Sequence, residues 1–184
     1  MTTSYKILGI DPGTNILGYA VIEIRNKKLL LVEHGLVKMT HLKSQQLKLK
    51  KIFERLQQLI AIHDPKEMAI EAPFYGKNVQ SMLKLGRAQG VAIAAAITKG
   101  VTIEEYAPKK IKQSVTGNGN ASKEQVAAML ESILNTRLEQ TTFDATDALA
   151  TAVCHYYQTS SKLGKTLQKG GWKGFIKNNP GRVR

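Results

Sequence analysis

The sequence predicts an α/β domain built on a mixed five-stranded sheet flanked by helices. Three observations carry that expectation. Short β-branched and aliphatic runs crowd residues 5–37, with only Pro12-Gly13 and Arg25-Asn26 between them. The apolar period then becomes helical from Leu42, and beyond Asp64-Pro65 strand-like and helical segments alternate. Tight connections among the first three strands favour an antiparallel meander, whereas the later alternation calls for parallel βαβ crossovers.

Taken in order, Tyr5 to Asp11, Leu17 to Ile24 and Lys28 to Val37 read as strands. From Leu42 to Ile62 the residues Leu42, Leu49, Ile52, Phe53, Leu56, Leu59 and Ile60 fall on one helical face, which Asp64-Pro65 ends. Met68 to Glu71 is a fourth strand. Asn78 to Lys99 reads as a helix of roughly 33 Å at 1.5 Å per residue, stopped by Gly100. Thr102 to Tyr106 is the fifth strand. Ser122 and Gln125 stand in capping-box spacing at the start of a helix running to Leu134, and Thr142 is placed to cap a last helix from Phe143 to Gln158. This order is the one expected of a ribonuclease H-like domain, its sheet covered by helices on both faces.

At 184 residues, with 42% hydrophobic and 22% charged residues, the chain fits one domain with its own core. Lys and Arg number 27 against 14 Asp and Glu, giving a net charge of +13 and a pI near 9.8; a polyanion is the expected partner class. From Ser160 to the end there are seven basic residues and no acid, so the body is only mildly basic. The division expected is a ribonuclease H-like domain at 1–159 and a basic tail at 160–184, a mobile arm that is solvated, adds affinity for a polyanion or contacts a partner. The lone Cys154 cannot form an intrachain disulfide and suits a buried helical position in a reducing cytoplasm. No signal peptide is expected, and the most apolar window, Val91 to Ile97, is too short for a bilayer, so no membrane partner is expected either.

Four carboxylates stand out in this basic chain. Asp11 closes the apolar run Ile7-Leu8-Gly9-Ile10, Glu71 closes Met68-Ala69-Ile70, and Asp144 and Asp147 open the apolar stretch from Ala148 to Tyr157. Acids at the ends of neighbouring strands emerge at one sheet edge, and two acids three apart on a helix share a face. Four such anions repel unless cations enter. Two magnesium ions about 3.5–4 Å apart would balance them and clamp an in-line phosphoryl displacement. Taken singly, each acid is also what a solvated strand end or helix start carries. His34, His41, His63 and His155 lack mutual metal spacing and read as structural.

Ile7-Leu8-Gly9-Ile10-Asp11-Pro12-Gly13-Thr14, then Ala69-Ile70-Glu71, Lys84-Leu85-Gly86-Arg87-Ala88-Gln89-Gly90-Val91, Glu105-Tyr106-Ala107 and Asp144-Ala145-Thr146-Asp147-Ala148-Leu149-Ala150 follow one another in order. Together they resemble the RuvC family of bacterial crossover junction endodeoxyribonucleases, from about Lys6 to about Tyr157. The resemblance implies a ribonuclease H-like fold and a cytoplasmic homodimer. It implies magnesium, replaceable by manganese, and resolution of four-way (Holliday) junction DNA by paired, symmetric nicks. It also implies work alongside the branch-migration proteins RuvA and RuvB. The family's catalytic and metal-binding acids fall on Asp11, Glu71, Asp144 and Asp147; a histidine can stand at the third of these positions in other members.

Phe74, Lys112 and Lys123 are further candidates for holding DNA. Phe74 and Tyr75 lie in the loop Pro73-Phe74-Tyr75-Gly76-Lys77 after the fourth strand. An aromatic there either packs in the core or stacks on an unpaired base, worth about 1–3 kcal/mol. The resemblance places the family's junction aromatic on Phe74. Lys112 and Lys123 flank the loop Thr116-Gly117-Asn118-Gly119-Asn120, where a helix start and a lysine suit a phosphate, although solvated lysines are common in such places. Both match basic residues that the family uses near its site. Gly86 and Gly90, four apart on the long helix, permit close approach of another helix, of the same chain or, as the resemblance implies, of a second copy.

Three other readings compete with the nuclease: a catalytically silent junction-binding module, an actin-like ATPase using Asp11-Pro12-Gly13-Thr14 as a phosphate loop, and a hybrid-cleaving ribonuclease H. The complete acid set argues against the first and the length against the second; substrate choice separates the third.

Overall fold

The computed structural model of the chain describes residues 4–73, 78–138 and 143–166. Ten elements follow one another: β1 (Ser4–Asp11), β2 (Ile16–Arg25), β3 (Lys28–Lys38), α1 (Gln45–His63), β4 (Glu67–Glu71), α2 (Val79–Ile97), β5 (Thr102–Tyr106), α3 (Pro108–Thr116), α4 (Lys123–Leu134) and α5 (Phe143–Thr166). The five strands form one sheet in the order β3-β2-β1-β4-β5. Antiparallel pairing joins β3, β2 and β1, and parallel pairing joins β1, β4 and β5. The mixed sheet expected from the sequence is the one observed.

Local chemistry explains the boundaries. Asn26 and Lys27 both adopt positive φ, 52° and 63°, and so form the two-residue turn whose twist matches a hairpin. Ser44 accepts a hydrogen bond from Leu47 N and starts α1 three residues later than the period predicted, leaving Leu42 to pack on the core from outside the helix. The predicted capping box of Ser122 and Gln125 is present in full. Thr142 lies outside the described residues.

Two differences matter. One helix is absent from the expected elements: α3, nine residues that open on Pro108 and bury Ile111 and Val115, four apart. Three lysines in this short helix dilute its apolar period, but Pro at the first turn and Gly117 beyond the end were available as signals. In addition, α5 continues to Thr166, so position 160, the expected start of the tail, lies within its last turns.

Alternation along β1 sends Ile7 to one face of the sheet and Leu8 and Ile10 to the other. On the first face α3, α4 and α5 cover Ile7, Ile22 and Ala69 with Val126, Leu130, Leu149 and Val153. On the second, α1 and α2 cover Leu8, Leu17 and Ile70 with Ile52, Leu56, Leu59 and Ala92. Each large side chain buried in these layers contributes about 1.5–3 kcal/mol.

The first layer is unusually close at two points. A Cβ added to Gly9 would sit 2.1 Å from the carbonyl oxygen of Ala148, and one added to Gly18 would sit 2.0 Å from that of Asp144. Both would overlap helix backbone. The two glycines therefore let α5 lie directly on β1 and β2, with its first turn over the end of β1.

Candidate active site

Asp11 is the last residue of β1 and Glu71 the last of β4. These strands are parallel neighbours in register, Ile10 opposite Ile70, so the acids that follow leave the sheet side by side, about 4.8 Å apart in backbone spacing. Asp144, in the first turn of α5, and Asp147, three residues further along it, arrive from above. One carboxylate oxygen from each of Asp11, Asp144 and Asp147 lies within 4.8 Å of the others. Glu71 opens into the same concavity of about 270 Å³, with Pro108, Ile111 and Lys112 of α3, and Lys123 and Val126 of α4, as further walls. Three of these lining residues come from α3, a helix not among the expected elements.

The electrostatics follow from this crowding. Asp11 is pushed up to about 8, first by burial and then by the charges of Glu71, Asp147 and Asp144, against which Lys123 pulls down. Glu71 is pushed up to about 7 by burial and Asp147, opposed by Lys123 and Lys112. Lys123 loses solvation in the cleft, yet its hydrogen bond to Asp147 and the charges of Asp147, Asp144 and Asp11 outweigh that loss and strengthen its hold on its proton. Its Nζ stands 2.7 Å from Asp147 Oδ2.

All the donors here are carboxylate oxygens carried on a strand end, a second strand end and a helix start. A divalent hard cation fits that set: it takes oxygen ligands, and its charge relieves the repulsion that holds Asp11 and Glu71 above their ordinary range. Among the described residues no histidine or cysteine joins the group.

The other predicted residues divide. Lys112 is in the wall, but its Nζ donates to the Ala121 carbonyl at 2.7 Å, which ties α3 to the loop before α4. A lysine near the acids was expected; the tie to Ala121 has no local signature, since it depends on how the intervening loop folds. Phe74 and Tyr75 lie outside the described residues. His63 donates to Glu33 at 2.7 Å and His155 to Glu67 at 2.9 Å, with the other nitrogen of His155 accepting from the Tyr106 hydroxyl at 2.8 Å. These two histidines are structural, as expected. Cys154 is fully buried, as expected, with its thiol 3.3 Å from Ser114 Oγ.

Comparison with known proteins agrees with this geometry. The family model described as crossover junction endodeoxyribonuclease RuvC matches residues 7–155. A protein of that name from Cytophaga hutchinsonii is 60% identical over 178 residues, 97% of this chain and 88% of the relative. Another from Porphyromonas gingivalis is 50% identical over 185 residues, 97% of this chain and 96% of the relative. Among solved structures, Thermus thermophilus RuvC superposes with a TM-score of 0.78 at 29% identity, covering 85% of this chain and 96% of that one. The same protein in complex with a Holliday junction substrate superposes with a TM-score of 0.77 at 27% identity. The acids at the edge of a ribonuclease H-like sheet, the family match and the relatives agree: this chain belongs to the RuvC family of crossover junction endodeoxyribonucleases.

Proposed function

We propose that this chain resolves four-way DNA junctions by paired, symmetric nicks, using Asp11, Glu71, Asp144 and Asp147 to hold Mg²⁺, for which Mn²⁺ can substitute. The observation that carries the reading is the approach of three carboxylate oxygens within 4.8 Å in a cleft that Glu71 shares. When bound, the ions supply Lewis-acid stabilisation of charge on the attacking and leaving oxygens. The chain's own residues do the rest. Asp11 and Glu71 fix the site to the sheet, while Asp144 and Asp147 close it from α5. Lys123, beside Asp147, and Lys112, on the adjoining wall, set positive charge where a phosphate approaches. Hydrolysis forms a bond from a water oxygen to phosphorus and breaks the bond from phosphorus to the 3′ oxygen, leaving a 5′ phosphate and a 3′ hydroxyl.

Phe74, in the loop after β4, is proposed to stack at the crossover. Two copies, each with one site, are proposed to cut the two strands symmetrically. Support for a two-fold pairing comes from α2, where Gly86 and Gly90 have no atom within 4 Å of an added Cβ and Leu83 and Ile97 are exposed on the same helical face. Action in the cytoplasm with the branch-migration proteins RuvA and RuvB is proposed from the family. In keeping with it, no helix among the described residues is long and apolar enough to cross a membrane.

The test is a labelled synthetic junction in Mg²⁺. Wild-type protein is expected to nick opposite strands at matching positions, and Asp11→Asn to lose nicking by at least about 10³-fold while keeping junction binding. Cleavage of an RNA:DNA hybrid in preference to the junction would favour the ribonuclease H reading instead.

A further inference from the structure

A wider concavity than the active site, about 680 Å³, runs between α1 and the C-terminal end of β3. Val37, Leu42 and Leu47 give it an apolar floor, and Lys38, Lys50 and Lys51 stand around it. Among its described lining residues Glu54 is the one acid, and it is engaged by Lys50 at 3.7 Å. Leu47 leaves half of its surface in water. The strand bordering this groove is an edge strand of 11 residues, paired with β2 alone among the described strands. Such an edge offers backbone hydrogen-bonding groups to an added strand, and a floor of alternate apolar pockets beside it selects that strand's side chains.

Charge decides what fits. Residues 167–184 of this chain hold five basic residues and no acid, so the chain's own tail is repelled by the lysines of the rim. A second copy pairing β3 on β3 antiparallel is disfavoured too, because Lys28 of one strand would face Lys38 of the other at both ends. A DNA arm would satisfy the lysines but brings only phosphates and sugars to a floor made of Val37, Leu42 and Leu47. We infer that this groove is a strand-addition site for an extended segment of a partner protein in which every second side chain faces α1, apolar over the floor and acidic beside the rim. The apolar residues enter the floor of Val37, Leu42 and Leu47, the acids on the same face meet Lys50 and Lys51 of α1, and the backbone pairs with β3. The site is separate from the carboxylate cleft and stands whether or not the nuclease reading holds.

The experiment uses the full chain and a fluorescein-labelled peptide of ten residues whose alternate positions carry aspartate, isoleucine, phenylalanine, isoleucine and aspartate in turn, with threonine between them. Saturable binding by anisotropy is expected, with amide shift changes in an ¹⁵N spectrum at Leu36, Val37 and Lys38. Two control peptides, one with lysine for aspartate and one N-methylated on alternate residues to block strand pairing, are expected to bind at least tenfold more weakly. The double variant Lys50→Glu, Lys51→Glu is expected to weaken the acidic peptide at least tenfold and to leave junction nicking unchanged. Four results would overturn the inference: no saturation up to about 1 mM, equal binding of the controls, shifts confined to other elements, or a double variant that binds the peptide normally and loses affinity for a four-way junction. The last result would assign the rim to DNA.

Discussion

Raising the pH without a divalent ion should weaken the fold, and Mg²⁺ should reverse the effect. Asp11 holds its proton to about 8, against an ordinary 3.8, and Glu71 to about 7, against 4.5. Between those limits the folded state binds more protons than the unfolded one, so stability is present at low pH and is lost as pH rises from about 4 towards 8. At 1.36 kcal/mol per pH unit, discounted for the surface both side chains keep in water, the loss amounts to a few kcal/mol. A cation must displace the same protons. Its apparent affinity should therefore climb with pH by up to two decades per unit below about 7, by one between about 7 and 8, and level off above. Thermal melts at pH 5.5 and 8.5, with and without Mg²⁺, and calorimetry in buffers of different ionisation enthalpy measure both quantities. Metal-free stability that is flat or rises over this range, or Mg²⁺ binding that releases no protons at pH 6.5, would refute the reasoning.

Other perturbations act on the same framework. Gly18→Ala pushes a methyl into the Asp144 carbonyl; melts should show a loss of about 1–3 kcal/mol, and nicking should fall further than stability because the first turn of α5 moves. Lys123→Gln removes the ion pair with Asp147; junction affinity should fall and its salt slope shrink by about 0.9, measured by titration at several ionic strengths. The same change removes a charge that pulls Asp11 and Glu71 down, so the pH profile of Mg²⁺ binding should move upward. His155→Ala leaves the Glu67 carboxylate and the nearly buried Tyr106 hydroxyl without their partner; the cost should be about 3 kcal/mol and a melting temperature lower by about 6–12 °C.

Asp11 and Glu71 were legible because each ends an apolar run, and a strand's end fixes where its last side chain emerges. Asp144 and Asp147 were legible as a pair because helical spacing puts them on one face. What brings the two pairs together was not legible: the closeness of α5 depends on Gly9 and Gly18 meeting the Ala148 and Asp144 carbonyls, a long-range contact with no local signature. The wall formed by α3 was missed because Lys109, Lys110 and Lys112 obscure Ile111 and Val115. Lys112 was foreseen near the acids, but its bond to Ala121 arises only once α3 and α4 have packed. The histidines went the other way, since lack of metal spacing was enough to set His63 and His155 apart from the site.

The claim beneath these predictions is that Asp11, Glu71, Asp144 and Asp147 form one cation pocket. Anomalous diffraction from crystals of the protein grown with Mn²⁺ tests it most directly. The account predicts manganese peaks bounded by these four carboxylates, lost in Asp11→Asn. Manganese bound elsewhere, or a pocket that stays empty at saturating Mn²⁺ and pH 8, would contradict it.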